Sequence, residues 1–284
     1  MNALVVARFT LQEAISRRLV LAGLLLSGLF LALYALGFWF IYGIAVQNTL
    51  DPRSRAAPLV AATILTILGL YAVNFLASFL ALFLSVGGVS GEVDSGTLLA
   101  VMARPLRRSE FVVGRWLGYA LILVVYVVAM VGGVLLLAWG LADYGPADPV
   151  RAIALMMLSA LLLLTLSLFG STWLPTIANG VVCFSLFGLA WLAGVIEWVG
   201  GNVGSQAMVN TGVLVSLLVP SDGLWRGASY YLQSPIMTEL LPAGRDYLPF
   251  ASIAPPTAPF VAWSAAYVLV ALVGAVRVFG RRDL

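Results

Sequence analysis

The sequence of 284 residues contains no histidine, no lysine and a single cysteine, Cys183. The missing histidine excludes His-based zinc and haem sites, together with Ser-His and Cys-His nucleophile pairs. One cysteine cannot form a disulfide bond within the chain. The phosphate-binding motif GxxxxGK[ST] requires a lysine, so this chain cannot contain it. We therefore expect no nucleotide site on this chain. We also expect no other cofactor, no metal site and no catalytic residue. Cys183 lies in an apolar run, where a lone cysteine is usually a small packing residue.

Charged residues are also scarce, at 10% of the chain, whereas apolar residues make up 62% and the mean hydropathy is +1.05. Soluble domains carry about 25% charged residues. A water-soluble protein of this length could not bury so much apolar surface, whereas a lipid bilayer accepts it. The composition therefore predicts an all-α membrane protein.

Segments of about 20 apolar residues are long enough to cross a bilayer as helices. Six parts of the chain meet this criterion: residues 20–46, 58–89, 111–141, 150–169, 177–199 and 258–276. Ser109 is the expected N-cap of the third span. The first segment has too long an apolar run for a cleaved signal peptide, so we assign it to the mature protein. Because no repeat and no linker divides the chain, residues 1–284 are expected to form one transmembrane domain.

The distribution of arginine predicts the orientation of the spans. All 15 basic residues are arginines. With the N-terminus in the cytoplasm, five of them lie outside and the rest inside, as the positive-inside rule requires. Tryptophans then fall near both interfaces, with Trp39, Trp139, Trp198 and Trp263 at outer ends and Trp116 and Trp173 at inner ends. We therefore expect both termini in the cytoplasm.

Residues 1–19 have the pattern of an amphipathic helix that lies in the inner interface. Its apolar stripe consists of Leu4, Ala7, Leu11, Ala14 and Ile15, and the polar side is interrupted by Val6 and Phe9.

The outer loop of residues 200–257 contains an apolar stretch, Met208–Val219, that is too short to cross the bilayer. Such a length favours a re-entrant or interfacial segment. Residues 235–259 contain six prolines and no periodicity, which predicts an irregular cap.

The expected spans are nearly free of charge, and Glu197 is the exception, one residue before Trp198 at the outer rim. We interpret Glu197 as an interfacial carboxylate in contact with water, with a transport-linked site as the alternative. The lack of a buried charge relay argues against a proton-driven pump or a voltage sensor. Methionines could supply soft ligands for copper, but they form no clustered motif, and methionine is more often a packing residue.

The loop of residues 90–110, on the expected cytoplasmic side, reads SGEVDSGTLLAVMARPLRRSE. Residues 94–95 offer an N-cap for a short helix that Pro105 would end. About two helical turns would then present Leu98, Leu99 and Met102 to a partner. A short capped helix with an apolar tip suits a groove on another protein.

The order of an amphipathic N-terminal helix, two spans, a GExDxGTL segment followed by RPxxR, and four further spans resembles the permeases of ABC type-2 transporters. The layout covers the whole chain, and the motif covers residues 91–108. Within that family the chain looks most like permeases of multicopper-enzyme maturation systems, including the system that serves nitrous-oxide reductase. Residues 220–226 of the outer loop contribute to this likeness less specifically.

The resemblance implies a permease subunit of an ATP-driven exporter whose ATPase is a separate polypeptide, so that ATP and Mg²⁺ would bind the partner. It implies a homodimer with two ATPase subunits in the cytoplasmic (inner) membrane of a bacterium, and it leaves room for a periplasmic accessory protein. The chain has no basic face suited to nucleic acid. Residues 1–19 would be the connecting helix. The coupling helix that docks on the ATPase would include Gly91, Glu92, Asp94, Gly96, Thr97, Leu98, Leu99, Met102 and Arg104. The re-entrant outer element would include Met208, Leu214, Leu217, Pro220 and Trp225.

Two other functions stay open on the sequence alone. One is a membrane scaffold or assembly factor that transports nothing. The other is a membrane-embedded enzyme, which the missing histidine and the charge-poor spans disfavour. The sequence does not choose a substrate among lipids, ions, peptides, drugs and sulfur species.

Overall fold

The computed structural model describes residues 3–16, 18–47, 57–94, 107–234 and 249–281. Within these ranges the chain forms ten helices and no strand, which confirms the predicted all-α class. The helices are α1 (Ala3–Ser16), α2 (Arg18–Gln47), α3 (Ala57–Ser85), α4 (Ser90–Asp94), α5 (Arg108–Ala142), α6 (Pro149–Ser171), α7 (Thr176–Val203), α8 (Gln206–Leu218), α9 (Ser221–Leu232) and α10 (Ala258–Arg281).

Six of the described helices are long and apolar enough to cross a membrane, and they agree with the six predicted spans. They are α2, α3 together with α4, α5, α6, α7 and α10. The last span continues to Arg281, five residues beyond the predicted end at residue 276. The prediction of Ser109 as N-cap is wrong, because α5 begins at Arg108 and its N-cap is Arg107. The backbone N–H of Arg107 donates to the Glu110 carboxylate at 3.4 Å, which satisfies a donor at the helix start.

Contacts at the two ends of the bundle follow the expected alternation of the spans. Just after α5 ends, the Tyr144 hydroxyl donates to the Leu232 carbonyl of α9 at 2.7 Å. At the start of α5, Arg108 donates to the Phe279 carbonyl, near the end of α10, at 3.4 Å. Following the predicted orientation, we call the end at Arg108 the inner end and the end at Tyr144 the outer end.

The core of the bundle lies between α3, α5 and α6, and α9 closes it at the outer end. Leu70 of α3, Val127 of α5, Met156 of α6 and Trp225 of α9 belong to one buried cluster. In a bilayer, close packing rather than exclusion of water stabilises such contacts. By contrast, α2 leaves most of its large apolar side chains exposed, as expected of a span in contact with lipid.

Many serine and threonine hydroxyls within the described spans donate to a carbonyl of their own helix. Thr66 donates to Ala62, and Ser78 donates to Asn74, each at 2.7 Å. These hydrogen bonds give each hydroxyl a partner, which the hydrocarbon tails of lipids cannot provide. Trp116, which was predicted at the inner interface, packs between helices, and its Nε1 donates to Thr165 at 2.8 Å.

The N-terminal helix α1 forms, but the predicted apolar stripe is only partly correct. Ala7 and Ala14 are buried, whereas Leu4 is 73% exposed. Val6, which was expected to interrupt the polar side, is buried together with Thr10. The helix is apolar on two sides, because α5 covers one side and the other carries exposed Leu4, Val5 and Phe9. The sequence pattern did not separate these two faces.

The apolar stretch Met208–Val219, expected to be a re-entrant or interfacial segment, forms helix α8, and a second helix, α9, follows it. Helices α8 and α9, which we call the outer hairpin, are bent by 103° relative to each other. Pro220 lies at the bend and is the N-cap position of α9. Of the expected irregular cap, residues 249–257 are described and are not helical, while residues 235–248 lie outside the described ranges.

Candidate functional site at the inner end

Helix α1 lies directly against the inner part of α5, at a place where α5 has two glycines, Gly114 and Gly118, four residues apart. A Cβ atom on Gly114 would come within 2.5 Å of the Val6 Cβ and 2.7 Å of the Ala3 carbonyl. One on Gly118 would come within 2.7 Å of the Thr10 Cβ. The spacing of the glycines is that of a small-xxx-small packing motif, in which missing side chains let two helix backbones approach.

Between these glycines, Arg115 joins three segments of the chain through charge. Its guanidinium donates to the Glu13 carboxylate of α1 at 2.7 Å and forms an ion pair with Glu92 of α4. It also donates to the Tyr119 hydroxyl at 3.1 Å and lies over the Phe111 ring. We call Glu13, Glu92 and Arg115 the Arg115 cluster.

Burial makes the Arg115 cluster more than a surface ion pair. The side chain of Arg115 is 6% exposed, that of Glu92 is 18% exposed and that of Glu13 is 38% exposed. A guanidinium this buried requires its partners, because a charge left alone in a low-dielectric site is costly. The cluster therefore fixes α4 to α1 and α5.

The turn between α3 and α4 directs Glu92 toward Arg115. Residues 86–89 form this turn, and a Cβ on Gly88 would meet Leu168 of α6 and Tyr119 of α5 at 3.1 Å. The Ser90 and Thr176 hydroxyls form a hydrogen bond of 2.8 Å, which ties the start of α4 to the start of α7. Asn179 of α7 donates to the Val86 carbonyl at 2.9 Å. The inner ends of α3, α4, α5, α6 and α7 are thus held together around one turn.

A second charged contact lies at the outer end. Arg226 of the outer hairpin donates to the Glu197 carboxylate of α7 at 2.8 Å, and the Arg226 side chain is 9% exposed. Glu197 was interpreted as an interfacial carboxylate in contact with water, and its side chain is 27% exposed. It also has a protein partner, which the sequence reasoning did not identify.

The predicted coupling residues fall into two groups. Gly91, Glu92 and Asp94 belong to α4, and Glu92 is part of the Arg115 cluster. The remaining predicted residues, Gly96, Thr97, Leu98, Leu99, Met102 and Arg104, lie outside the described residues. Their assignment to a docking helix stays a prediction.

The predicted residues of the outer element all lie in or beside the outer hairpin. Leu214 and Leu217 are exposed on α8, and Met208 packs close to Gly200 of α7. Trp225 is fully buried, and its Nε1 donates to the Phe250 carbonyl at 2.6 Å. This residue serves the core of the bundle.

Sequence reasoning missed Glu13 and Arg115. The expectation that Glu197 is the one charge within the spans is wrong, because Arg115 lies within the predicted third span and Arg151 within the predicted fourth. A signal was present, since a lone arginine four residues into an apolar segment needs a carboxylate partner. The sequence does not show which of the nearby acids provides it.

Metal binding finds no support in the described ranges, where no group of three or more His, Cys, Asp or Glu side chains could hold a metal ion. Cys183 is buried, and its thiol lies 3.4 Å from the Asn179 side-chain oxygen. It packs as the sequence predicted.

Six helices long and apolar enough to cross a membrane, an N-terminal helix seated on the third of them and an outer hairpin before the last fit a multi-pass membrane protein. The family model for ABC-2 family transporter proteins matches residues 5–284, so the chain belongs to that family. No curated protein matches the chain. The match confirms the family expected from the sequence, and membership makes the chain the membrane component of an ABC transporter.

Proposed function

We propose that this chain is the permease of an ATP-driven exporter in the cytoplasmic membrane of a bacterium, with ATP hydrolysed by a separate subunit. Two copies of the chain and two ATPase subunits would form the working complex. Both termini and the loop of residues 90–110 would face the cytoplasm, in line with the ten arginines that this orientation places inside.

The Arg115 cluster is the observation that carries the proposal. A permease without a nucleotide site must receive mechanical work through a contact that is rigidly connected to its spans. Helix α4 leads directly into the predicted docking segment, and Glu92 on α4 is bound to Arg115 of the third span. A displacement of the loop would therefore move α5 and α1 together with α4.

Removing the docking contact tests the proposal. We expect the Leu98→Asp/Met102→Asp double variant to lose the co-purified ATPase, because two carboxylates would replace the apolar tip that seats in the partner. The readout is the ratio of ATPase to permease after affinity purification, which should fall at least about tenfold, or about 1.4 kcal/mol of binding free energy.

The matched control is Val203→Asp/Ala207→Asp, which adds the same charge at exposed positions of the outer end. This control should retain the ATPase. An unchanged ratio in the Leu98/Met102 variant would contradict the docking assignment, and a wild-type chain that purifies without any ATPase would favour a scaffold instead.

The likeness to copper-enzyme maturation permeases extends the proposal to the cargo. We propose that the complex supports assembly of a multicopper enzyme such as nitrous-oxide reductase, without binding copper itself. Deletion of the chain should lower the copper content of that enzyme when it is isolated from the same cells. A fully loaded enzyme would contradict this extension and leave the transporter assignment in place.

A further inference from the structure

A cavity of about 640 Å³ opens at the outer end of the bundle, away from the Arg115 cluster. Its walls come from the end of α7, from both helices of the outer hairpin and from residues 252–257, which lead into α10. This volume lies within the range of small-molecule sites, about 300–1,000 Å³.

The cavity contains one negative and one positive side chain. Glu197 and Arg226 both line it, and they form the 2.8 Å ion pair described above. The carboxylate of Asp222, one turn before Arg226, faces Gly194 of α7 and is not part of the lining. The cavity thus presents a negatively charged acceptor, Glu197, beside a positively charged donor, Arg226. The charges of these two side chains cancel.

The remaining walls are largely apolar, and in the predicted orientation they lie near the outer ends of the spans. Val213, Leu217 and Phe260 line the cavity together with Trp198. Trp263, one turn into α10, donates to the Leu217 carbonyl at 3.0 Å. Tryptophan side chains at the ends of spans mark the headgroup level of a bilayer. A ligand with an apolar body and a head that carries both charges would complement these walls and the ion pair.

We infer that the cavity binds a zwitterionic phospholipid of the phosphatidylethanolamine type by its headgroup. Arg226 would donate to the phosphate, and Glu197 would accept from the ammonium group. The apolar part of the lipid would pack against the walls formed by α8 and α10. An anionic phosphatidylglycerol headgroup carries the phosphate but has no ammonium group for Glu197, so it should bind less tightly.

Binding of short-chain lipids to the purified full-length chain tests this inference. The probes are dioctanoyl phosphatidylethanolamine, dioctanoyl phosphatidylglycerol and glycerophosphoethanolamine, which has the headgroup but no acyl chains. Native mass spectrometry or thermophoresis would measure the affinities. We expect phosphatidylethanolamine to bind about tenfold more tightly than each of the other two probes. Phosphatidylglycerol lacks the charge-assisted contact of the ammonium group with Glu197, and glycerophosphoethanolamine lacks the acyl chains that contact the apolar walls.

Two variants connect binding to the cavity. Gly201 lines the cavity, and a Cβ at this position would meet no atom within 4 Å, so Gly201→Leu should fold normally and fill the space. Its affinity for phosphatidylethanolamine should fall at least about tenfold. Gly188→Leu is the control, because Gly188 has the same open surroundings on α7 but does not line the cavity. Glu197→Gln should reduce the preference for phosphatidylethanolamine over phosphatidylglycerol to about twofold or less.

Several results would overturn the inference. Unchanged affinity in Gly201→Leu would place the lipid elsewhere, and equal binding of the two lipids by the wild type would remove the role of the ion pair. Tight binding of glycerophosphoethanolamine would indicate a soluble ligand in place of a lipid. None of these measurements requires the ATPase, so the inference and the proposed coupling succeed or fail separately.

Discussion

At the scale of single residues, the inner end depends on how Arg115 divides its contacts. The guanidinium binds one carboxylate from α1 and one from α4, and the second is the more buried of the two. Exposed ion pairs contribute about 0–1 kcal/mol, whereas removing one partner of a buried pair costs about 3–5 kcal/mol. The two acids are therefore expected to differ in their contribution to stability.

Substitutions in the Arg115 cluster should follow this order. Glu13→Ala is expected to have the smallest effect on thermal stability, because Glu13 is the most exposed member and Glu92 stays in place. Glu92→Ala should have a larger effect, and it should also lower ATP hydrolysis by the assembled complex. Arg115→Ala should destabilise most, by about 3 kcal/mol, since it leaves two carboxylates without their cation. Thermal unfolding in detergent gives the order, and equal effects of the two acids would contradict it.

At the scale of helices, the position of α1 depends on the lack of side chains at two glycines of α5. Gly114 and Gly118 bring the backbones of α1 and α5 together, which in turn allows Glu13 to reach Arg115. Amphipathic patterning alone would place such a helix flat in the interface. The contact with α5 makes α1 part of the bundle, so movement of the third span also moves α1.

Enlarging Gly114 should separate the two helices. Gly114→Leu would place a side chain where Val6 and Ala3 now lie, and overpacking of this kind costs about 1–3 kcal/mol. We expect a cysteine introduced as Thr10→Cys, at a buried position of α1, to become reactive toward maleimide in this background.

The control for this experiment is Gly132→Leu on the same helix, where a Cβ would meet no atom within 4 Å. It should leave the cysteine at position 10 protected. Equal protection in the Gly114 and Gly132 variants would show that α1 does not depend on the close approach.

At the scale of the whole molecule, the sequence predicts most of the architecture and little of the site. Long apolar segments specify the six spans, because a bilayer requires about 20 apolar residues in each. The face of α1 was only partly predicted, since Val6 and Thr10 are buried by a tertiary contact with α5 that periodicity does not encode. The apolar stretch at residues 208–219 forms α8 as a short helix, in line with the prediction. Helix α9 was not predicted, because it is polar along one side and lacks the apolar length of a span.

The charged contacts of the molecule also depend on tertiary structure. Arg115 and Glu92 are 23 positions apart in the sequence, and Glu197 and Arg226 are 29 apart. Hydropathy places Glu92, Arg115 and Glu197 near the ends of spans and Arg226 within the outer loop, but the sequence does not show how the helices pack and therefore which of these residues pair. The motif GExDxGTL singles out Glu92, but it does not indicate Arg115 as its partner.

The side of the membrane on which Leu98 lies tests the central claim most directly. A Leu98→Cys variant can be made in the native background, because Cys183 is the one cysteine of the chain and is buried. With a membrane-impermeant maleimide, we predict labelling in inverted membrane vesicles and none in intact spheroplasts. Val203→Cys, at the exposed outer end of α7, should give the opposite pattern. Labelling of the cysteine at position 98 in intact spheroplasts would place the loop outside and contradict coupling to a cytoplasmic ATPase.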